Sequence, residues 1–178
     1  MYDKFNKSMN FPGSFKVLII TLSDRAHKGE YKDLSGPGIK ERLEEFFATH
    51  KWDSEIRIIL IPDDAHLLKD IIQEASKSSN MVFTTGGTGI GPRDITVETV
   101  KPLLDKEIPG VMEFIRIKYG AEKPNTLLSR GIAGVMGKAL IYTLPGSLKA
   151  VDEYMSEIVK TLKHTVLMQY GIDAHEKH

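Results

Sequence analysis

The segment 81–94 reads MVFTTGGTGIGPRD, in which a short apolar run leads directly into a glycine-rich loop. The run 81–84 has the length and composition of a buried β-strand. In the loop 86–91, glycines let the backbone approach a ligand closely, and successive amide groups can bind an anion. We therefore predict a strand whose carboxyl end carries a binding loop, with a tight turn that binds nothing as the alternative.

Similar units occur on both sides of this segment. Apolar runs predict further strands at residues 16–22, 56–61 and 139–144. Amphipathic spacing predicts helices around residues 39–47, 67–75, 111–118 and 151–162. We also expect Ser35 to cap the first helix, Thr96 to open a short helix that Pro102 interrupts, and residues 120–138 to be irregular. Because strands alternate with helices, the predicted fold class is α/β, with a mainly parallel sheet covered on both faces.

Length and composition are those of a single ordinary globular domain. The chain has 178 residues, 24 basic and 24 acidic side chains, and no cysteine. The balanced charge argues against a nucleic-acid-binding protein, and the absence of cysteine excludes disulfides and thiolate chemistry. We expect a flexible lead-in at 1–14, one domain at 15–168 and a polar tail at 169–178. No apolar segment resembles a signal peptide or a membrane span, which favours a cytoplasmic protein with no membrane contact.

Four turns are expected to meet at one edge of the sheet. They are Ser23-Asp24-Arg25, Asp63-Asp64, the loop from Thr85 to Asp94, and Pro145-Gly146-Ser147. Parallel strands joined by right-handed crossovers bring their carboxyl-terminal turns to the same edge, where ligands bind in open α/β folds. Residues far apart in sequence are therefore predicted to form one site.

The glycine loop matches neither of two common nucleotide-binding signatures. A dinucleotide fingerprint starting at Gly87 requires Gly or Ala where Pro92 stands. A Walker A loop starting at Gly86 requires Lys at that same position. The loop is therefore predicted to bind its ligand differently, and the candidate contacts are Thr85, Gly86, Gly87, Thr88 and Gly89.

Asp63 and Asp94 are the candidate catalytic and metal-binding residues. Each is expected next to the start of a helix, where a simple N-cap is the better interpretation for either one alone. If Asp64 is the cap, however, Asp63 is free for chemistry. Two carboxylates beside a phosphate-binding loop suit Mg²⁺, which binds a few carboxylates together with phosphates and waters. A carboxylate can also accept two N–H donors from a heterocycle such as a pterin or guanine.

Three other groups are candidate substrate contacts, each with a structural alternative. Ser129 and Arg130 offer a hydroxyl and a guanidinium to an anion, or form a surface turn. The turn 145–147 places free amides at a helix N-terminus, a second possible phosphate site, although its serine as a plain cap is the simpler interpretation. Ser23 and Asp24 are candidate substrate contacts as well, but the sequence there is equally typical of a simple turn that contains an ion pair.

As a set, these motifs resemble those of the molybdopterin adenylyltransferases, which belong to the molybdenum cofactor biosynthesis family. The resemblance covers residues 16–165 in the same order, and Asp64 stands where relatives often have Glu. The matching motifs are SDR at 23–25, DxSGP at 33–37, IPDD at 61–64, TTGGTG at 84–89, PRDxT at 92–96, ExPG at 107–110, LSR at 128–130 and LPG at 144–146.

The resemblance implies a single three-layer α/β/α domain, expected to be a homotrimer, that transfers AMP from ATP to the terminal phosphate of molybdopterin. It places the family's essential aspartates at Asp63 and Asp94 and its functional serine at Ser129. Mg²⁺ is the expected cofactor, and a molybdenum insertase is an expected downstream partner. The alternative function is a non-catalytic molybdopterin-binding or delivery module, and the presence of both aspartates with Ser129 favours the enzyme.

Overall fold

The computed structural model describes residues 11–172, in which six strands form one mixed sheet. The order across the sheet is β2-β1-β3-β6-β5-β4. The first four of these strands are parallel, whereas β5 pairs antiparallel with both β6 and β4. The strands are β1 (Ser14–Leu22), β2 (Asp53–Ile61), β3 (Met81–Thr85), β4 (Lys106–Glu107), β5 (Ala133–Met136) and β6 (Ala139–Leu144).

Helices cover both faces of this sheet. Alternate residues of β1 point to opposite sides, so that Val17 and Ile19 pack against α2, α5 and α6, while Leu18 and Ile20 pack against α3. The predicted three-layer α/β/α domain with a mainly parallel sheet is therefore confirmed. The helices are α1 (Asp24–His27), α2 (Ser35–His50), α3 (Ala65–Ser78), α4 (Thr96–Val100), α5 (Pro109–Gly120) and α6 (Leu148–Gln169), with short 3-10 helices at Lys101–Leu103 and Pro124–Leu128.

Two local predictions were wrong. The segment 120–138 is not wholly irregular, because it contains the Pro124–Leu128 helix and strand β5. Ser35 does not cap α2; instead Asp33 Oδ1 accepts hydrogen bonds from the amides of Ser35 and Gly36, at 2.9 and 3.2 Å. A carboxylate two residues upstream reaches these amides, whereas Ser35 already lies inside the helix.

The ends of the chain extend beyond the described part. Residues 1–10 of the expected lead-in and 173–178 of the expected tail lie outside it. Phe11 packs edge-on against the rings of Trp52 and Tyr170, with centroids 5.4 and 5.5 Å away. Within residues 11–172, no helix has both the length and the apolar character needed to cross a membrane.

Candidate functional site

The carboxyl ends of β1, β2, β3 and β6 meet at one edge of the sheet, as predicted. The Ser23 amide donates to Ile61 O, and the Gly86 amide donates to Leu144 O, both at 3.0 Å. A cavity of about 320 Å³ opens at this edge, and we call it the aspartate cavity. Its lining residues are Leu22, Ser23, Asp24, Arg25, Asp63, Gly87, Arg93 and Asp94.

Asp63 faces the aspartate cavity because its neighbour serves as the helix cap. Asp64 Oδ1 accepts hydrogen bonds from the amides of His66 and Leu67, at 2.9 and 3.0 Å, and so begins α3. Asp63 and Asp24 are joined by two reciprocal bonds: the Asp63 amide donates to Asp24 Oδ1 at 3.0 Å, and the Asp24 amide donates to Asp63 Oδ2 at 3.2 Å. Among the described residues, Asp63 Oδ1 accepts no hydrogen bond, which leaves this oxygen available to a ligand.

Asp94 is held within the glycine-rich segment and does not cap α4. Its Oδ2 accepts a hydrogen bond from the Gly91 amide at 2.8 Å, and its own amide donates to Gly91 O at 3.0 Å. The N-cap position of α4 is Ile95, which makes no side-chain cap bond. The N-cap interpretation therefore fails for both candidate aspartates, and both carboxylates line the same cavity.

The glycines of the loop are required by contacts within the protein. Gly86 and Gly87 have φ angles of +103° and +66°, a region that favours glycine. A Cβ on Gly86 would lie 2.3 Å from Leu22 O, and one on Gly87 would lie 2.5 Å from Thr96 Oγ1. Thr96 also donates its hydroxyl to Gly86 O at 2.8 Å. The tight conformation that brings Gly87 to the cavity is thus fixed by the end of β1 and the start of α4.

The turn after β6 packs against this loop. Thr85 is buried, and its hydroxyl donates to Pro145 O at 2.8 Å. A Cβ on Gly146 would lie 3.2 Å from the Gly86 Cα, which shows how closely the two turns approach. Ser147 Oγ accepts from the Ala150 amide at 3.2 Å, so the simple cap interpretation holds for this serine.

A second cavity of about 450 Å³ contains Ser129, and we call it the serine cavity. Its wall includes Lys101, Arg116, Ser129, Arg130 and Gly131. Sequence reasoning did not select Lys101 or Arg116 as site residues, because their positions on separate segments give no local pattern. The structure therefore divides the predicted site between two neighbouring cavities: the aspartate cavity is lined by Ser23, Asp24, Asp63, Gly87 and Asp94, and the serine cavity by Ser129 and Arg130. The other predicted contacts line neither of these two cavities; they are Thr85, Gly86, Thr88, Gly89, Pro145, Gly146 and Ser147.

Arg130 connects the serine cavity to the glycine loop. Its amide donates to Thr88 O at 2.9 Å and its Nε donates to Gly89 O at 2.7 Å, while its guanidinium pairs with Glu98. The hydrogen bond from Arg130 lowers the pKa of Glu98. With its donors directed at these groups, Arg130 acts here as a brace for the loop.

The donor set is suitable for a metal that takes most of its ligands from a substrate. Within residues 11–172, no group of three or more histidine, aspartate or glutamate side chains is arranged to hold a metal ion. Asp63 and Asp94 nevertheless line one cavity, and each carboxylate has an oxygen without a hydrogen bond in this part of the chain. Two carboxylates of this kind fit Mg²⁺, which completes its shell with phosphates and waters.

Fold and site together are those of the open α/β proteins, in which ligands bind at the carboxyl edge of a parallel sheet. Residues 18–164 match the family model described as a probable molybdopterin binding domain, and the chain belongs to this family. The earlier resemblance to this family is thereby confirmed.

Individual relatives and solved structures agree with this assignment. The molybdopterin adenylyltransferase of Pyrococcus furiosus is 39% identical over 162 residues, covering 86% of this chain and 92% of the relative. That of Escherichia coli K12 is 32% identical over 90% of this chain and 81% of the relative. The molybdopterin biosynthesis enzyme MoaB of Thermus thermophilus superposes with a TM-score of 0.78 at 34% identity, covering 88% of this chain and 97% of that one. The chain spans only 24% of the Drosophila melanogaster molybdenum cofactor synthesis protein cinnamon.

Proposed function

We propose that this protein transfers AMP from ATP to the terminal phosphate of molybdopterin and releases diphosphate. The observation that carries the proposal is the position of Asp63 and Asp94 in one cavity beside the glycine loop. Neither carboxylate is used as a helix cap, so both are available for chemistry. Relatives that bear the name molybdopterin adenylyltransferase support the same reaction.

In this reaction an oxygen of the molybdopterin phosphate forms a bond to the α-phosphorus of ATP. The bond from that phosphorus to the oxygen bridging it to the β-phosphorus breaks, and diphosphate leaves with the electron pair. The attacking phosphate oxygen is already deprotonated near neutral pH, so no protein nucleophile is needed. Catalysis by this chain then consists mainly of positioning and charge compensation.

The two cavities suggest how the substrates are divided. We assign the nucleotide phosphates to the aspartate cavity, where the glycine loop approaches Asp63 and Asp94. We assign molybdopterin to the serine cavity, with Ser129 as an orienting contact. When bound, Mg²⁺ would be held by Asp63 and Asp94 and would neutralise the charge that develops on the phosphates.

The proposal is tested by product formation in two neighbouring aspartate variants. Purified protein is incubated with molybdopterin, ATP and Mg²⁺, and adenylylated molybdopterin is quantified by mass spectrometry. Asp63→Asn keeps the shape of the side chain and removes its charge, so turnover should fall at least about 100-fold. The matched control is Asp64→Asn, which should retain activity because asparagine also caps helices well.

Two outcomes would contradict the proposal. If Asp63→Asn turns over at close to the wild-type rate, the charge of this carboxylate is not needed for catalysis. Wild-type protein that binds molybdopterin without forming product would favour the delivery module instead.

Assembly and cellular context form a further part of the proposal. By resemblance to the family we expect a homotrimer, so light scattering after gel filtration should give about three times the chain mass of 19.9 kDa. A monomer at micromolar concentration would contradict this expectation. We also propose a cytoplasmic location, where ATP is available, and a molybdenum insertase as the partner that receives the product.

A further inference from the structure

Two arginines line the aspartate cavity, and their partners differ. Arg93 forms an ion pair with Asp24 and is thereby neutralised. Arg25 forms no ion pair with any carboxylate of the described residues. Instead, its Cζ lies 5.3 Å from the centre of the Tyr31 ring. The positive charge of Arg25 is therefore available to a ligand.

The side chain of Tyr31 is held in place beneath this guanidinium. The hydroxyl groups of Tyr31 and Ser23 are 2.7 Å apart and hydrogen-bonded. Ser23 in turn caps α1 by accepting from the Ala26 amide at 3.2 Å, and α1 is the helix that carries Arg25. Tyr31 and Arg25 are thus anchored to the same short helix. A guanidinium stacked on a ring still presents its N–H donors at its edge, where an anion can bind.

The charges of the cavity explain why such a cation is needed. Asp24, Asp63 and Asp94 all line the space in which the nucleotide phosphates are proposed to lie. Only Asp24 is compensated by an ion pair with an arginine among the described residues. A polyphosphate placed near Asp63 and Asp94, which form no ion pair within the described residues, is repelled by their negative charge. A divalent cation would bridge these carboxylates to the phosphates, and a free arginine in the same cavity would compensate further phosphate charge directly.

We infer that Arg25 is a direct ligand of the nucleotide polyphosphate and that Tyr31 is its positioning residue. This assignment rests on the function proposed above. Arg25, which is carried by α1, compensates phosphate charge by direct contact. Asp63 and Asp94, in contrast, are proposed to act on the phosphates through Mg²⁺. The Tyr31 ring limits the orientations of the guanidinium, so that less conformational entropy is lost when the phosphates bind.

The test measures ATP affinity in the presence of Mg²⁺ by calorimetric titration, together with the KM for ATP. Arg25→Gln should weaken ATP binding roughly 10- to 100-fold, the range for one charged hydrogen-bonding contact. It should also reduce the dependence of ATP affinity on salt, because one charge contact is lost. Arg25→Lys should restore part of the affinity. The matched control is Arg42→Gln, because Arg42 pairs with Asp152 and lines neither cavity.

Tyr31 is tested by a pair of variants. Tyr31→Leu removes the ring, so ATP binding should weaken about 3- to 10-fold while the salt dependence stays that of the wild type, because Arg25 remains. Tyr31→Phe keeps the ring and should have the smaller effect. Circular dichroism melting identifies any variant that is destabilised, and Tyr31 is 45% exposed, so little loss of stability is expected.

The outcomes separate this inference from the proposed function. If the wild type forms product but Arg25→Gln binds ATP with unchanged affinity and salt dependence, the inference is overturned and the proposed function stands. An equal loss of ATP affinity in Arg42→Gln would also overturn the inference, because the weaker binding would then result from the change in net charge of the protein. A wild-type protein that binds no ATP overturns both.

Discussion

Glu157 offers the most quantitative test of the energetics of this fold. Its side chain is only 6% exposed and lies between α5 and α6. Lys118 Nζ donates to its Oε1 at 2.6 Å, and Lys160 Nζ donates to both oxygens at 2.9 Å. Burial by itself raises the pKa of Glu157, but the hydrogen bonds from the two lysines outweigh it and lower the pKa from 4.5 to about 2.

The sign of this shift determines how stability depends on pH. Because the pKa is lower in the folded state, the unfolded chain binds the proton more readily, and acid favours unfolding. The stabilisation is fully present above about pH 5 and is lost as the pH falls towards 2. This pKa shift corresponds to a contribution of about 3 kcal/mol at most to the free energy of unfolding. The two lysine side chains are 42% and 61% exposed, so solvent screening should reduce the contribution to roughly 1–2 kcal/mol.

The assay is urea unfolding of the wild type and Glu157→Gln at pH 7.5 and pH 3. At pH 7.5 the variant should be less stable by roughly 1–2 kcal/mol, and at pH 3 the difference should shrink to less than half. The control is Glu45→Gln, because Glu45 is 71% exposed and pairs with Arg42 at 3.6 Å, which predicts a change below about 0.5 kcal/mol. Equal stability of wild type and Glu157→Gln at pH 7.5, or a difference that does not change with pH, would refute this reasoning.

The remaining predictions concern the two cavities. Asp94→Asn keeps an oxygen for the Gly91 amide but loses the charge, so turnover should fall at least about 100-fold while the melting temperature changes little, and a large melting shift would contradict this. Gly87→Ala places a Cβ 2.5 Å from Thr96 Oγ1, so urea unfolding should show a loss of about 1–3 kcal/mol, and unchanged stability would argue against the strained loop. Ser129→Ala should weaken molybdopterin binding by about 1–2 kcal/mol and leave ATP binding unchanged, as measured by separate titrations. Weaker ATP binding together with unchanged molybdopterin binding would contradict the assignment of molybdopterin to the serine cavity.

The main elements of the fold could be predicted because their periodic signals are long. The strands at 16–22, 56–61, 81–84 and 139–144 and the principal helices were all found near their predicted positions. Strands β4 and β5 were missed because they have two and four residues, and β5 contains a glycine that weakens its strand signal. That glycine is required by packing, since a Cβ on Gly134 would lie 2.5 Å from Lys106 O. A contact between strands so far apart in sequence leaves no local pattern.

The candidate site shows a different limit of sequence reasoning. Asp63 and Asp64 have the same local chemistry, so sequence alone leaves open which of them caps α3. The backbone decides, because the Asp64 amide bonds to Pro62 O at 2.8 Å and the extended conformation of Asp64 aims its carboxylate at the helix. Similarly, glycine at positions 86 and 87 predicts close approach to a ligand, and this stays a prediction. The structure adds a requirement that the sequence did not reveal, because a Cβ at these positions would meet Leu22 or Thr96.

The predicted site is divided between two cavities, and Arg130 connects them. Its side chain forms part of the wall of the serine cavity, yet its amide and Nε bond to the carbonyls of Thr88 and Gly89. The loop that carries these carbonyls also carries Gly87, which lines the aspartate cavity. Arg130 is therefore a direct structural link between the two cavities. Under the proposed division of substrates, transfer requires the reacting atoms in the two cavities to be aligned closely, and we expect the contacts of Arg130 with the loop to help maintain that alignment.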